Sequence, residues 1–289
     1  MTNSIFTVVK HIHGFLASPS LWEQTQFGLQ QFEIPPLDLT HFEPQPIPEK
    51  LRLGHQIEYI FHQLISHSNV YEVVAHNIQI KKGNDTLGEL DFIMRSCLPA
   101  RQEYETCAEP SRSSKKLLHL ELSYKFYIID PTISEPIHRL IGPNRKDAFF
   151  AKLKKTKQKQ LPLLYTEEGQ QTLASLGIEA SELEQQVLFI GQLFTPYNTS
   201  IPSIHPLNTN CILGFWIRMQ DFKTDAFKAN QYYITYKYEW IHTPHEKVTW
   251  SSYDEIIPAI QEKHFRKQAP MMWIKKPAAS IEKCFVVWW

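Results

Sequence analysis

The segment Leu117–Asp130, LLHLELSYKFYIID, sets one glutamate and one lysine into a run that otherwise has the composition of a buried strand. Side chains alternate between the two faces of a β-strand. One face of this strand is therefore polar and the other apolar, with His119, Glu121, Ser123 and Lys125 opposite Leu118, Leu120, Leu122, Tyr124 and Phe126. A strand with such a polar face is not simply buried on both sides, so this face is a candidate functional surface.

The preceding strand has the same texture. The stretch LGELDFIMR, residues 87–95, places Glu89 and Asp91 on one face, opposite apolar neighbours. It follows a valine- and isoleucine-rich run, residues 69–79, and the turn sequence KGND. Three strands in succession predict a meander, in which Asp91 and Glu121 point into the same space.

Helices are predicted on both sides of the meander. Residues 51–68, LRLGHQIEYIFHQLISHS, repeat apolar side chains at helical spacing and carry Glu58. After the meander, Gly142-Pro143-Asn144 predicts the start of a helix over about residues 145–160, with Asn144 as its cap. The fold class expected from this order is mixed α/β (α+β), with a mixed central sheet.

The second of these helices is strongly basic. Residues 139–160 contain eight basic side chains and one acidic side chain: Arg139, Arg145, Lys146, Lys152, Lys154, Lys155, Lys157 and Lys159 against Asp147. Such a run is usually a solvated helix face. In a chain with 30 basic and 30 acidic residues it also fits a patch that faces phosphates. Both interpretations stay open.

We expect three regions. Residues 1–50 are a helical lead-in and a proline-rich connector, residues 51–166 form the core, and residues 167–289 form a mostly β, aromatic-rich layer packed on that core. The strands predicted in the last region are CILGFWI, QYYITYKYEWI, KVTWSS and EKCFVVWW, with a weakly helical acidic stretch around residues 179–186 and a helix over residues 253–265. Six of the seven tryptophans follow residue 210, where a core or interface role is expected.

Composition excludes several classes of protein. The formal net charge of zero gives no global support to nucleic-acid binding, so any such footprint must be local. The four cysteines form no CxxC pair and lack metal-ligand spacing. No run of about 18 apolar residues predicts a membrane span, and the N-terminal apolar stretch is broken by Lys10, His11 and His13. A cytoplasmic protein without a membrane partner is expected.

The acids and the lysine suggest one chemistry. Hydrolysis of a phosphodiester requires an activated water and neutralisation of the charge that develops on phosphorus. A hard divalent cation held by two or three carboxylates supplies both, and a nearby lysine stabilises the charge or orients the water. Carboxylates on adjacent strands of one sheet are held rigidly enough to share an ion.

The order helix–strand–strand–strand–helix, with an acid on the first helix, Asp91 on the second strand and Glu121 with Lys125 on the third, resembles the PD-(D/E)XK nuclease superfamily. The phrases LGHQIE, GELDFIMR, HLELSYKFYI, GPNRKD and EKCFVV resemble domain-of-unknown-function family 1853, a bacterial family placed in that superfamily. The resemblance spans residue 50 to the C-terminus and is specific as a set of phrases.

The resemblance implies a metal-dependent nuclease acting on DNA or RNA. Asp91, Glu121 and Glu58 would hold Mg²⁺ (or Mn²⁺), and Lys125 would be the catalytic lysine. The superfamily places that lysine two residues after the glutamate, where this chain has Ser123. Because two strand residues span about 7 Å and four span about 13 Å, either a lysine elsewhere, such as Lys152, takes the role or the site is impaired. The residues expected to contact nucleic acid are Arg145, Lys146, Lys152, Lys154 and Lys155.

Other interpretations of the same residues remain. Glu58 also fits the wet edge of its helix, Asp91 a pair with Arg95, Glu121 an ordinary pair with Lys125, and His119 a satisfied strand histidine. Three classes of function follow: a Mg²⁺-dependent nuclease, a non-catalytic nucleic-acid- or protein-binding module on a degenerate nuclease fold, and a structural protein with an aromatic interface.

Overall fold

A computed structural model describes residues 5–48, 50–97, 116–200 and 203–289. It is a mixed α/β fold in which, within these ranges, seven α-helices surround a nine-stranded mixed sheet and a short two-stranded ribbon. The mixed α/β class is confirmed. Residues 98–115, between the second and third strands of the meander, lie outside the described residues.

The N-terminal region leads onto one face of the sheet. Helix α1 (Ile5–Leu16) is followed by the ribbon strands β1 (Thr25–Gln26) and β2 (Leu29–Gln30). The proline-rich connector then runs without regular structure to helix α2 (Leu53–His67). Helix α2 buries the stripe predicted by its spacing, which includes Ile57, Ile60, Phe61, Leu64 and Ile65.

The predicted meander is present. Strands β3 (Tyr71–Lys82), β4 (Asp85–Ser96) and β5 (Leu117–Ile129) pair antiparallel in that order. The turn between β3 and β4 uses Gly83 at φ +59°, a left-handed conformation that costs glycine little.

The basic helix is shorter than predicted. After strand β6 (Leu140–Ile141), helix α3 covers only Phe149–Lys155, and one turn of π-helix, Thr156–Gln160, continues it. The helix does not start at residue 145 because Arg145 has φ +54°, in the left-handed region that a right-handed helix excludes. Asn144 is not its cap; the Asn144 side chain instead accepts the Ala269 backbone N–H at 2.8 Å.

A crossover then returns the chain to the sheet. It contains helix α4 (Glu167–Ser175), and strand β7 (Leu183–Pro196) pairs parallel with β5 over twelve residues. The acidic stretch predicted to be weakly helical around residues 179–186 is one 3₁₀ turn, Ala180–Glu182, followed by the start of β7.

The C-terminal region extends the same sheet instead of forming a second layer on it, because β8 pairs with β7 and the remaining strands add edge to edge. The resulting order is β3-β4-β5-β7-β8-β11-β10-β9, with β6 beside β5. The elements of this region are β8 (Ile212–Arg218), α5 (Met219–Phe222), α6 (Asp225–Lys228), β9 (Gln231–Ile234), α7 (Tyr253–Phe265), β10 (Met271–Lys275) and β11 (Ile281–Val287).

Helix α7 has the predicted bounds. The strand predicted over residues 231–241 is confirmed only for Gln231–Ile234, and the strand predicted over KVTWSS is wrong. Residues 237–241 form a 3₁₀ turn, and KVTWSS contributes only a single bridge from Ser251 to Tyr232. Strand β10 was not predicted. Four of its five residues, Met271–Ile274, are buried and none of these four is polar, so the sequence shows no alternation of polar and apolar side chains.

Two apolar cores lie on opposite faces of β5. The even-numbered side chains from Leu118 to Ile128 pack with α1 and α2, and Tyr127 and Ile129 pack with α3 on the other face. No helix in the described part of the chain is long and apolar enough to cross a membrane.

Candidate functional site

Strand β4 leaves β5 at the candidate site. The ladder between them ends at the pair Phe92–Leu120, so Asp91 and Glu121 are the next cross-strand neighbours and share one face of the sheet. Beyond this point Asp91 Oδ2 accepts the Leu122 backbone N–H at 2.8 Å. The carboxylate of Asp91 thus replaces a ladder hydrogen bond at the position where the two strands diverge.

Glu121 is buried at 1% exposure on the polar face of β5. Its Oε1 lies 3.1 Å from His119 Nε2, and its Oε2 accepts a hydrogen bond from the Gln160 side-chain amide. His119 is itself fully buried and contacts Gln185 Nε2 at 3.0 Å. His119 is therefore a satisfied strand histidine that orients Glu121.

Lys152 is the lysine that the structure brings to the acids. It lies on α3, interacts electrostatically with both Asp91 and Glu121, and donates from Nζ to Gln160 Oε1 at 2.7 Å. Lys125 instead pairs with Asp147 at 3.2 Å and keeps 36% side-chain exposure. The alternative interpretation of Glu121 and Lys125 as an ion pair is thus wrong. The alternative pair of Asp91 with Arg95 is also not formed, because Arg95 pairs with Glu72 at 2.8 Å.

The π-helical turn places Gln160 next to Lys152. Eight residues of regular α-helix at 3.6 residues per turn would leave these two side chains on different faces. The wider turn over Thr156–Gln160 realigns them, and Gln160 then contacts Lys152, Thr156 and Glu121. Single π turns inside helices occur frequently at functional sites.

Burial and mutual repulsion determine the protonation of this cluster. Burial raises the pKa of Asp91 well above its usual range, and the negative charge of Glu121 adds to that rise. Lys152 acts in the opposite direction on Asp91. Burial also lowers the pKa of the Lys152 ammonium, although its two acidic neighbours partly offset that effect. When both carboxylates are ionised, the cluster has two negative charges and only the one positive charge of Lys152, so it carries a net negative charge.

Glu58 lies farther from this pair, on α2. Its side chain is 17% exposed and contacts His55 Nδ1 at 3.1 Å. Burial raises the pKa of Glu58, and the charges of Glu89 and Glu121 add to the rise. Glu58 is thus close enough to repel the charges of Asp91 and Glu121, but it forms no described hydrogen bond with either residue.

The acid pair has donor atoms that suit a divalent metal ion. Asp91 and Glu121 offer hard carboxylate oxygens, and Asp91 Oδ1 accepts no hydrogen bond from any residue that the structure describes. A divalent cation would supply the positive charge that the pair lacks, so the two residues fit such an ion. In residues 5–48, 50–97, 116–200 and 203–289, however, no three His, Cys, Asp or Glu side chains are already gathered as a metal site.

A basic cleft opens beside the cluster. Strand β5 has no neighbour on this edge between Leu120 and Ile128, and the exposed edge borders a cavity of about 790 Å³ between α2 and α3. Two acids line it, Glu58 and Asp147, against six basic residues: Arg52, Lys125, Lys146, Lys152, Lys155 and Lys237. Asp91 and Glu121 are not on its wall, but Leu122, Ser123 and Lys152 are.

The predicted nucleic-acid set divides in two. Lys146, Lys152 and Lys155 line the cleft, whereas Lys154 does not. Arg145 has structural contacts: its guanidinium lies 3.8 Å from the centre of the Trp289 ring and pairs with Asp130 at 3.1 Å.

Sequence reasoning missed Gln160, Arg52 and Lys237. Gln160 gave no signal because its position depends on the π turn. Arg52 precedes α2 and Lys237 lies in the turn after β9, so both reach the cleft only through the tertiary fold. The sequence did give a signal for Lys152, because the family that the chain resembles has its lysine where this chain has Ser123.

Comparison with known proteins gives one match. The model of the family described as "Domain of unknown function (DUF1853)" matches residues 10–287. No curated protein and no solved structure matches the chain.

Proposed function

Since the chain belongs to the domain-of-unknown-function family DUF1853, we propose that its acid pair is the centre of a PD-(D/E)XK-type nuclease that hydrolyses phosphodiester bonds in DNA or RNA. One observation carries the proposal: Asp91 and Glu121 are cross-strand neighbours where β4 leaves β5, and the Lys152 ammonium interacts with both.

Asp91 and Glu121 would hold Mg²⁺ or Mn²⁺, with Glu58 facing the same space. The ion, when bound, neutralises charge on the phosphate and activates water. Gln160 donates a hydrogen bond to one oxygen of Glu121, and we expect its amide to rotate away when Glu121 binds a cation.

Lys152 is the lysine of this active site. Gln160 accepts a hydrogen bond from its Nζ. Burial lowers the pKa of Lys152, and nearby negative charges favour its protonated form. When the substrate phosphate approaches, the ammonium stabilises the charge that develops on the phosphate oxygens. Lys125, which carries an exposed ion pair with Asp147, contributes to the charge of the cleft instead.

The cleft supplies the substrate path. Six basic side chains against two acids, on a chain of zero net charge, concentrate positive potential in one groove. Phosphate oxygens along a nucleic-acid backbone match this arrangement, and the resulting affinity is salt-dependent.

The test is metal-dependent cleavage of single- and double-stranded DNA and RNA by the wild-type chain. We expect products with Mg²⁺ or Mn²⁺, none with EDTA, and none from Asp91→Asn or Glu121→Gln. Intact substrates with both metals, at protein concentrations that bind nucleic acid, would overturn the proposal.

A non-catalytic nucleic-acid-binding module is the second candidate. It is favoured by Glu121, whose two oxygens already contact His119 and Gln160, and by Ser123 at the usual lysine position. This alternative predicts salt-sensitive binding in the cleft that is the same with and without divalent metal. Metal-dependent turnover would exclude it.

A further inference from the structure

A second polar centre lies on the opposite face of the sheet from Asp91 and Glu121. Lys283 on β11 is only 4% exposed, and its side chain is on the face that packs against α1. Its Nζ donates to Gln192 Oε1 at 2.7 Å and to the Trp240 carbonyl oxygen at 2.9 Å. Both acceptors are neutral.

Among the described residues, Lys283 has no opposite charge beside it, so burial favours its neutral amine. Lys283 forms no ion pair with any carboxylate that the structure describes, and burial lowers its pKa to about 7. Glu282, its neighbour on β11, pairs with Lys276 at 2.7 Å. His242 is buried with its pKa lowered to about 2, so it is neutral, and Lys10 donates to His245 at 2.8 Å.

The acceptors of Lys283 are held in place by a buried network. Gln192 Nε2 donates to the Tyr124 hydroxyl at 2.8 Å, and that hydroxyl contacts Ser18 Oγ at 2.5 Å. Ser18 Oγ donates to the Gly14 carbonyl oxygen at 2.7 Å. Because this chain fixes the orientation of the Gln192 amide, its oxygen faces Lys283. Lys283 is therefore positioned by contacts that involve β7, β5, α1 and the 3₁₀ turn of residues 237–241, as expected for a preformed binding site.

A cavity of about 500 Å³ adjoins this network. An ammonium has three N–H donors, and the two described bonds leave one of them for a ligand in the cavity. The wall near Lys283 includes the hydroxyl-bearing residues Ser18 and Thr243 and the apolar residues Ile241, Pro244 and Ile281. A volume of this size with few polar groups and one buried amine is typical of a small-molecule site.

We infer that this cavity binds a small organic monocarboxylate, with its carboxylate paired to Lys283 and its hydrocarbon part against Ile241, Pro244 and Ile281. One ammonium matches one negative charge. Inorganic phosphate is a dianion at pH 8 and has no hydrocarbon part to lie against the apolar wall, so the cavity disfavours it. The site is independent of the proposed nuclease centre.

The experiment is titration calorimetry of the wild-type protein at pH 8 with straight-chain carboxylates from acetate to octanoate. Matched primary amides are the neutral controls, and inorganic phosphate is the alternative anion. We expect affinity to rise with chain length until the cavity is filled, and each amide to bind about tenfold or more weakly because it lacks the charge. Pairing raises the pKa of Lys283, so heats measured in two buffers should show proton uptake on binding.

Lys283→Met should abolish carboxylate binding, whereas Lys267→Met, at an exposed lysine that does not line the cavity, should leave it unchanged. Equal binding of amides and carboxylates, tighter binding of phosphate, or no binding at ~10 mM ligand would overturn the inference. If Lys283→Met does not fold, the amide comparison and the proton uptake of the wild type decide the question.

Discussion

Asp91 Oδ2 accepts the backbone N–H of Leu122 at 2.8 Å, where the ladder between β4 and β5 has just ended. This bond holds a carboxylate beside the open edge of β5 and directly across from Glu121. It fixes the separation of the two acids at the cost of burying like charges together.

Asp91→Asn should stabilise the protein in metal-free buffer. The amide keeps an oxygen for the Leu122 N–H but removes the repulsion with Glu121. We expect a gain of about 1 kcal/mol in the free energy of unfolding, measured by urea denaturation at pH 8. Asp85→Asn, at the exposed start of the same strand, is the matched control and should be neutral. A loss of stability in Asp91→Asn would contradict the repulsion.

The stability difference between wild type and Asp91→Asn should depend on pH. The folded-state pKa of Asp91 is raised above its ordinary value of 3.8. Its neutral form therefore stabilises the fold below that value, and this contribution is lost as the pH rises toward the raised folded-state pKa. The wild type should fall progressively behind the variant as the pH rises above 3.8 toward the raised folded-state pKa, as measured by denaturation at each pH. A constant difference across this range would show that Asp91 does not titrate there.

Lys152→Met should reduce cleavage about a hundredfold or more, because it removes the ammonium beside the acids. Lys125→Met is the comparison, and it should change the rate less than about tenfold since Lys125 pairs with Asp147 in the cleft. In the Lys152→Met background, Ser123→Lys restores the superfamily spacing and should recover part of the rate. Equal losses from Lys152→Met and Lys125→Met would show that the lysine has been misassigned.

Cleft lysines should set the salt dependence of nucleic-acid binding. Lys146→Gln and Lys155→Gln should each reduce the slope of log affinity against log salt by about 1. Lys154→Gln, on the same helix as Lys155 but off the cleft wall, should leave the slope unchanged. Fluorescence anisotropy over a salt series measures all three variants. A similar slope change for Lys154→Gln would indicate a general charge effect instead of a groove.

Arg145→Ala should lower stability and leave the salt slope unchanged. The variant loses the stacking on Trp289 and the ion pair with Asp130. The expected cost is about 1–2 kcal/mol, measured by urea denaturation. A changed salt slope with unchanged stability would instead indicate that Arg145 contacts nucleic acid.

The acid pair was predictable because it depends on local rules. Alternation places Glu121 on the polar face of β5, and a meander of three strands brings Asp91 across from it. Both rules act over a few residues of one sheet. The position of Lys152 depends instead on how α3 crosses that sheet, which no pattern in its own segment encodes.

The errors in the C-terminal half have a related cause. Strand β10 is buried on both faces, so its sequence lacks alternation, whereas the alternating aromatic residues after Ile234 fold into a 3₁₀ turn. The central strand pairings of this region join β7 to β8 and β8 to β11. Such long-range parallel pairings leave no sign in the neighbouring sequence.

The most direct measurement is the anomalous difference density of crystals soaked in Mn²⁺. A single peak about 2 Å from carboxylate oxygens of both Asp91 and Glu121 is expected, with the Gln160 amide moved off Glu121. It should be absent from Asp91→Asn crystals. Density with Gln160 still bonded to Glu121, and no peak at the pair under metal concentrations that support cleavage, would contradict the account.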